Sequence, residues 1–194
     1  MAGLTVFVSG HSYAAGSFST QTLLLDLQTG ATIADLETFT VRREGRPFKS
    51  ADFNFWGVTF APDPNRFYAT LGTGGIQYLV EGDVGQRRAT VMRPGVECPA
   101  LSPDGGRIAF KKRTMVGGAL IWRIAVLDLA SMTERLLDGE TRSVDDQVEW
   151  ADDRRILYGL PDETTPGRTS IWLLDTEGGP ASRLVDNGWS PSVS

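Results

Sequence analysis

Any chemistry in this chain has to come from few residues. Gly10-His11-Ser12-Tyr13-Ala14 follows a β-rich run and approaches the G-x-S-x-G turn that lifts a nucleophilic serine between a strand and a helix. The last glycine of that pattern is an alanine here, and Ala15-Gly16-Ser17-Phe18-Ser19 does not read as a helix. His11 is the single histidine and sits next to Ser12, badly placed as the separate base of a triad. These residues read as a polar loop, and no catalytic residue is expected. Gly72-Thr73-Gly74-Gly75 is followed by Ile76-Gln77-Tyr78-Leu79-Val80, a strand rather than the helix that a phosphate cradle needs. It reads as a hairpin turn. Zinc would have only His11 and Cys98, calcium would lack a D-x-D-x-D loop, and no metal or cofactor is expected.

Composition narrows the partners. With 19 basic and 24 acidic residues among 194, the net charge is −5, against the concentrated positive field that nucleic acids or anionic membranes require. One cysteine excludes an internal disulfide. The longest apolar run, Met115 to Trp122, is about eight residues where a spanning helix needs roughly 20, so no membrane insertion is expected. The start, Met1-Ala2-Gly3-Leu4, lacks the pattern of a secretory leader.

The elements that must carry these residues are repeated. FAPDPNRFYAT from Phe60, LSPDGGRIAF from Leu101 and WADDRRILYG from Trp150 share an apolar residue, a Pro-Asp or Asp-Asp turn and a basic residue opening a strand. Trp189-Ser190-Pro191-Ser192 is a degenerate fourth start. Successive spacings of 41, 49 and 39 residues fall in the roughly 40–50-residue range of propeller blades. The second half of each unit also recurs, as QTLLLDLQTG, IWRIAVLDLA and SIWLLDTEG, each closing on an aspartate (Asp26, Asp128, Asp175) that can bond the next turn's N–H groups. A short outer strand follows. No helical period persists over ten residues. The chain is expected to be all-β, a β-propeller or propeller fragment of about four four-stranded antiparallel blades: 1–46, 47–93, 94–140 and 141–185, with 186–194 as the inner strand of a further or ring-closing blade. Arg42-Arg43-Glu44-Gly45-Arg46 reads as a solvated connection.

These motifs, above all Glu97-Cys98-Pro99-Ala100-Leu101-Ser102-Pro103-Asp104-Gly105 and Arg142-Ser143-Val144-Asp145-Asp146-Gln147, resemble TolB-like propellers, in particular an actinobacterial TolB-like translocation group. A wider similarity is to the gate propellers of prolyl oligopeptidases. The resemblance covers Asp52 to Val185. TolB-like propellers have about six blades behind an export signal or anchor, so the chain reads either as an N-terminally truncated piece lacking blades or as a closed four-bladed ring. The resemblance implies the extracytoplasmic side of a bacterial envelope.

Blade alignment places Asp52, Asn54, Trp56, Glu97, Asp145 and Asp146 near the starts of inner strands, at the channel mouth. There they are expected to form an acidic, aromatic rim binding a protein or peptide partner, with Phe53, Phe55 and Trp56 in a loop entering the channel. Trp122, Trp150, Trp172 and Trp189 read as packing between blades. The expected function is a non-catalytic interaction module. The alternative is a propeller attached to an enzyme, as a peptidase gate or a glycan-active hydrolase or lyase.

Overall fold

The computed structural model describes residues 1–8 and 19–193. Among these, the only helix is one 3₁₀ turn, Leu36–Thr38, amid seventeen strands. The chain divides into two compact units, Met1–Glu97 and Cys98–Ser194.

The first unit contains two sheets. β1 (Ala2–Val8), β2 (Ser19–Leu25) and β3 (Thr32–Asp35) form an antiparallel meander. β4 (Thr40–Arg43) and β5 (Arg46–Phe48) form a hairpin, so the stretch read as a solvated connection is regular structure. Its Glu44-Gly45 turn has φ of +52° and +75°, the two left-handed residues of a tight two-residue hairpin. β6 (Asn54–Phe60), β7 (Arg66–Thr73), β8 (Ile76–Asp83) and β9 (Arg88–Pro94) form a four-stranded meander, and β4 extends it by pairing parallel to β9. Gly74 and Gly75, with φ of +57° and +76°, turn β7 into β8. The glycine-rich run is therefore a hairpin turn. β7 is buried at six consecutive positions, Phe67 to Gly72, because both of its faces are covered. On one face Phe67, Ala69 and Leu71 pack with Leu24, Leu36, Phe39 and Phe55. Each fully buried side chain of this size contributes about 1.5–3 kcal/mol.

The second unit holds two four-stranded antiparallel sheets. One is β10 (Glu97–Leu101), β11 (Arg107–Val116), β12 (Ala119–Asp128) and β13 (Glu134–Leu136). The other is β14 (Glu149–Trp150), β15 (Arg155–Pro161), β16 (Thr169–Asp175) and β17 (Ser182–Asp186). Ala109, Ile124 and Val126 of the first sheet share a core with Trp150, Ile156, Tyr158 and Leu174 of the second. The Trp150 indole N–H donates to the Ala100 carbonyl at 2.8 Å, satisfying the polar edge of a buried ring.

The repeated turns form as their residue types dictate. Asp104 accepts from the Ser102 hydroxyl at 2.5 Å and the Gly106 N–H at 2.9 Å, while Gly105, at φ +73°, bonds back to the Ser102 carbonyl. Asp26, Asp128 and Asp175 accept N–H bonds from Gln28, Ser131 and Glu177 at 2.7–2.8 Å. Phe60, Leu101 and Trp150 each end the first strand of a four-stranded meander, so they are equivalent. The fourth repeat start differs. Residues 187–193 form no strand, because no strand among the described residues offers them a ladder. Of the expected inner strand over 186–194, the described residues 187–193 are not strand, and Asp186 ends β17.

Candidate functional site

Asp52, Asn54, Trp56 and Glu97 lie in the first unit and Asp145 and Asp146 in the second, and most are occupied by the framework. Asp52 lies in the exposed turn before β6. It accepts from the Gly74 N–H at 2.7 Å and from the Ser50 and Thr73 hydroxyls at 2.5 Å each. Those donors, led by the Gly74 amide, hold its carboxyl at about 2 because each favours the charged form. Asp52 thus ties the loop to the β7–β8 turn while one side faces solvent.

Asn54 is a clip between sheets. Its Nδ2 donates to the Asp52 carbonyl at 3.0 Å and its Oδ1 accepts the Thr20 N–H at 2.7 Å. The need for this clip is visible in the register: β3 pairs with β2 only over Leu23–Leu25, which leaves the Thr20 and Thr22 amides without a ladder partner. Asn54 supplies one acceptor. Glu37, on the 3₁₀ turn, supplies the other, taking the Thr22 N–H at 2.8 Å and the Thr20 hydroxyl at 3.1 Å. Burial drives the Glu37 carboxyl up to about 7, helped by the neighbouring Asp35 carboxylate.

Trp56 corrects the expectation of an aromatic contact loop. Residues 54–60 are strand β6, Phe55 is 1% exposed and Trp56 8% exposed. The Trp56 ring lies on Gly72, where an added Cβ would come within 2.6 Å of it. Phe55 and Trp56 point to opposite, covered faces of β6, and Phe53, in the turn before it, packs edge-on against Phe48 and Phe55. Glu97, the first residue of β10, is half-buried.

In the second unit, adjacent aspartates have opposite fates. Asp145 projects outward with its side chain 71% exposed and is gripped at the base by Lys111, whose buried Nζ donates to its carbonyl and its Oδ1 at 2.9 Å each. Asp146 is 4% exposed. It accepts from the Gly159 N–H at 2.8 Å, the Ser190 N–H at 3.0 Å and the Ser190 hydroxyl at 2.9 Å. A partner-binding role for Asp146 is therefore corrected: its carboxylate is spent clasping residues 187–193 to β15. Gly159 is a glycine because a Cβ there would meet Asp146 and the Trp189 ring at 2.7 Å.

A second buried carboxylate had no sequence signal. Glu140, 3% exposed, accepts from the Arg142 backbone N–H, Nε and Nη2 at 2.9, 2.8 and 2.5 Å and from the Tyr158 hydroxyl at 2.8 Å. The Arg142 guanidinium stacks 4.0 Å over Trp172. Burial pushes Glu140 upward, but the Arg142 bonds outweigh it and keep the carboxyl low. Burial and the bond to Glu140 push the Tyr158 phenol far up. The cluster ties the connection between β13 and β14 to β15 and β16.

Among the described residues, no group of three or more His, Cys, Asp or Glu side chains is placed to hold a metal ion. Residues 10–14, carrying the near-match to a serine elbow, lie outside the described residues. The rim residues left facing solvent are Asp52 and Asp145.

No family model matches the chain and no curated protein sequence matches it. Solved structures do. TolB from Acinetobacter baumannii superposes with a TM-score of 0.58 over 93% of this chain and 41% of its own, at 17% identity. A puromycin-hydrolyzing peptidase of Mycobacterium tuberculosis gives 0.56 over 91% and 26%, at 16% identity. The β-propeller domain of the Trilobed protease from Pyrococcus furiosus gives 0.52 over 68% and 42%, at 18% identity. The fold is that of a TolB-like β-propeller, built of mainly antiparallel blades. The chain spans about two-fifths of the TolB chain.

Proposed function

We propose that this chain is a non-catalytic β-propeller interaction module that takes a basic protein or peptide segment on its exposed loop carboxylates. The supporting observation is the sorting of the rim: Asn54, Trp56 and Asp146 are used within the fold, while Asp52 and Asp145 present pre-positioned carboxylates to solvent. Such groups lose little side-chain entropy when an Arg or Lys of a partner pairs with them. The TolB-like resemblance adds a role in translocation at the cell envelope to this reading.

Titration of the chain with an Arg/Lys-rich peptide, against an Asp/Glu-rich control, tests the proposal. Binding of the basic peptide alone is expected, weakened about tenfold, on the order of 1.4 kcal/mol, in Asp145→Asn or in Asp52→Asn, each tested alone. Affinity unchanged in both variants would reject these carboxylates as contacts. A second reading, a propeller attached to an enzyme, draws support from the likeness to the propeller domain of a protease. A hydrolase domain encoded in frame with this chain, with peptide cleavage by the whole product, would favour it.

A further inference from the structure

The β11–β12 hairpin departs from its counterparts. Its strands have ten residues each, against eight in β7 and β8 and seven in β15 and β16. The extra length lies at the tip, where pairing continues to Val116 opposite Ala119 and closes through Gly117 and Gly118 at φ +58° and +84°. β13 pairs with β12 only over Ala125–Leu127, so the tip extends past its own sheet. Residues 115–120 are all exposed. Met115 is 64% exposed, Val116 49% and Leu120 48%.

The pleat orders the chemistry along the hairpin. Met115 stands opposite Leu120 and Arg113 opposite Trp122, and side chains two residues apart share a face. The Arg113 guanidinium lies 5.9 Å over the Trp122 ring and the Lys111 ammonium 5.8 Å from it. Lys112 and Arg123 face each other across the next rung. From Ile108 to Leu127 there are four cations and no acidic residue, in a chain whose net charge is negative. The anions facing this stem come from other segments: Asp145 on Lys111, Glu134 on Lys112 and Asp138 on Arg123.

We propose that this tip inserts into the interfacial layer of an anionic phospholipid bilayer. Met115, Val116 and Leu120 would enter the acyl boundary and Trp122 and Arg113 the headgroup level, with the half-buried Lys112, paired with Glu134, below them. Met115 and Lys112 are three residues apart, roughly 10 Å at a strand's rise, which matches the roughly 5–10 Å depth reached by interfacial apolar groups. Trp and Arg at the intermediate level suit that boundary. A convex tip graded by depth fits a bilayer, which orders polarity with depth and imposes no lateral shape. The net charge of −5 argued against membrane adhesion by the surface as a whole. It does not oppose a contact confined to the one cationic element, and it keeps that contact reversible.

The full chain is floated with vesicles of phosphatidylcholine alone and with about a quarter phosphatidylglycerol, at constant salt. The expected result is partition at least roughly tenfold stronger with the anionic lipid. Brominated acyl chains should quench tryptophan emission in the wild type and much less in Trp122→Phe. Met115→Asp/Leu120→Asp should lose at least roughly tenfold in partition with an unchanged thermal midpoint; Met115→Ser/Leu120→Ser replaces it if the charged pair fails to fold. A wild-type chain that stays in the soluble fraction overturns the proposal. So does equal partition on both lipids, or flotation unaltered by the tip variants, which would direct attention to a protein groove instead.

Discussion

Asp146→Ala tests whether this aspartate is a clasp. Its carboxylate receives three hydrogen bonds at 2.8–3.0 Å, two of them from the Gly159 and Ser190 amides. A hydrogen bond to a charged acceptor contributes about 1.5–3 kcal/mol, and a buried amide stranded without a partner costs about 1–3 kcal/mol. Gly159 lies in the buried run of β15 and cannot reach water. Ser190, near the exposed Trp189, can recover part of its loss from solvent. Counting the stranded Gly159 amide and a partial loss at Ser190, and not the bond energies a second time, the cost is about 3 kcal/mol, a large share of the roughly 5–15 kcal/mol that holds a domain together. Asp146→Asn can keep its amide oxygen on the Gly159 and Ser190 N–H groups, both of which bond Oδ2, and turn its NH₂ toward the Ser190 hydroxyl, which can accept, so most of that loss should be avoided. Urea unfolding followed by far-ultraviolet circular dichroism measures the loss. The difference in acrylamide quenching between the Asp146→Ala chain with Trp189 and the same chain with Trp189→Phe isolates the release of residues 187–193. An Asp146→Ala protein within about 0.5 kcal/mol of wild type, the ordinary range for surface changes, would refute the clasp and restore Asp146 to the binding rim.

Two further predictions follow from the first unit. Glu37 has a folded carboxyl at about 7 against an ordinary 4.5, so the folded state holds the extra proton between those values and stability falls as pH rises from about 4.5 to 7. Partial solvent access reduces the effect to about 1–2 kcal/mol; thermal midpoints should fall across that window in the wild type and stay flatter in Glu37→Gln, and parallel curves would remove Glu37 as the cause. Gly82 faces the fully buried Phe67 ring so closely that a Cβ would overlap it. Gly82→Ala should cost about 1–3 kcal/mol, with recovery in Gly82→Ala/Phe67→Leu, and a double variant no more stable than the single would contradict the overlap.

What was legible in the sequence was local and periodic. The turns after Phe60, Leu101 and Trp150 announce themselves through Pro, Asp and Gly at fixed offsets, and the strands beside them through alternation. Their equivalence in β6, β10 and β14 follows from those short-range rules. The β4–β5 hairpin was hidden because charged residues read as solvated, and its place was set by parallel pairing to β9, more than forty residues away. Trp56 misled for a similar reason. Phe55 and Trp56 read as loop residues because the polar Asp52 and Asn54 beside them mask a strand that begins at Asn54. Glu37, Glu140 and Asp146 carry no signature, since their roles depend on which amides the register leaves unpaired.

The repeat that identifies the fold therefore works against finding the function. Residues recurring from blade to blade recur because every blade needs the same turns closed and the same amides satisfied. Asp104, Asp128 and Asp175 are each occupied in that way. A binding surface needs groups that the framework does not consume, and these lie where one blade stops resembling the others. Asp145 remains exposed where its neighbour Asp146 is spent, and β11–β12 outgrows its counterparts by two to three residues per strand. Both departures involve Lys111, whose Nζ holds Asp145 and lies 5.8 Å from the Trp122 ring. A partner recruited by Asp145 would thus sit beside the element proposed to touch lipid, and occupation of either surface would bear on the same buried lysine.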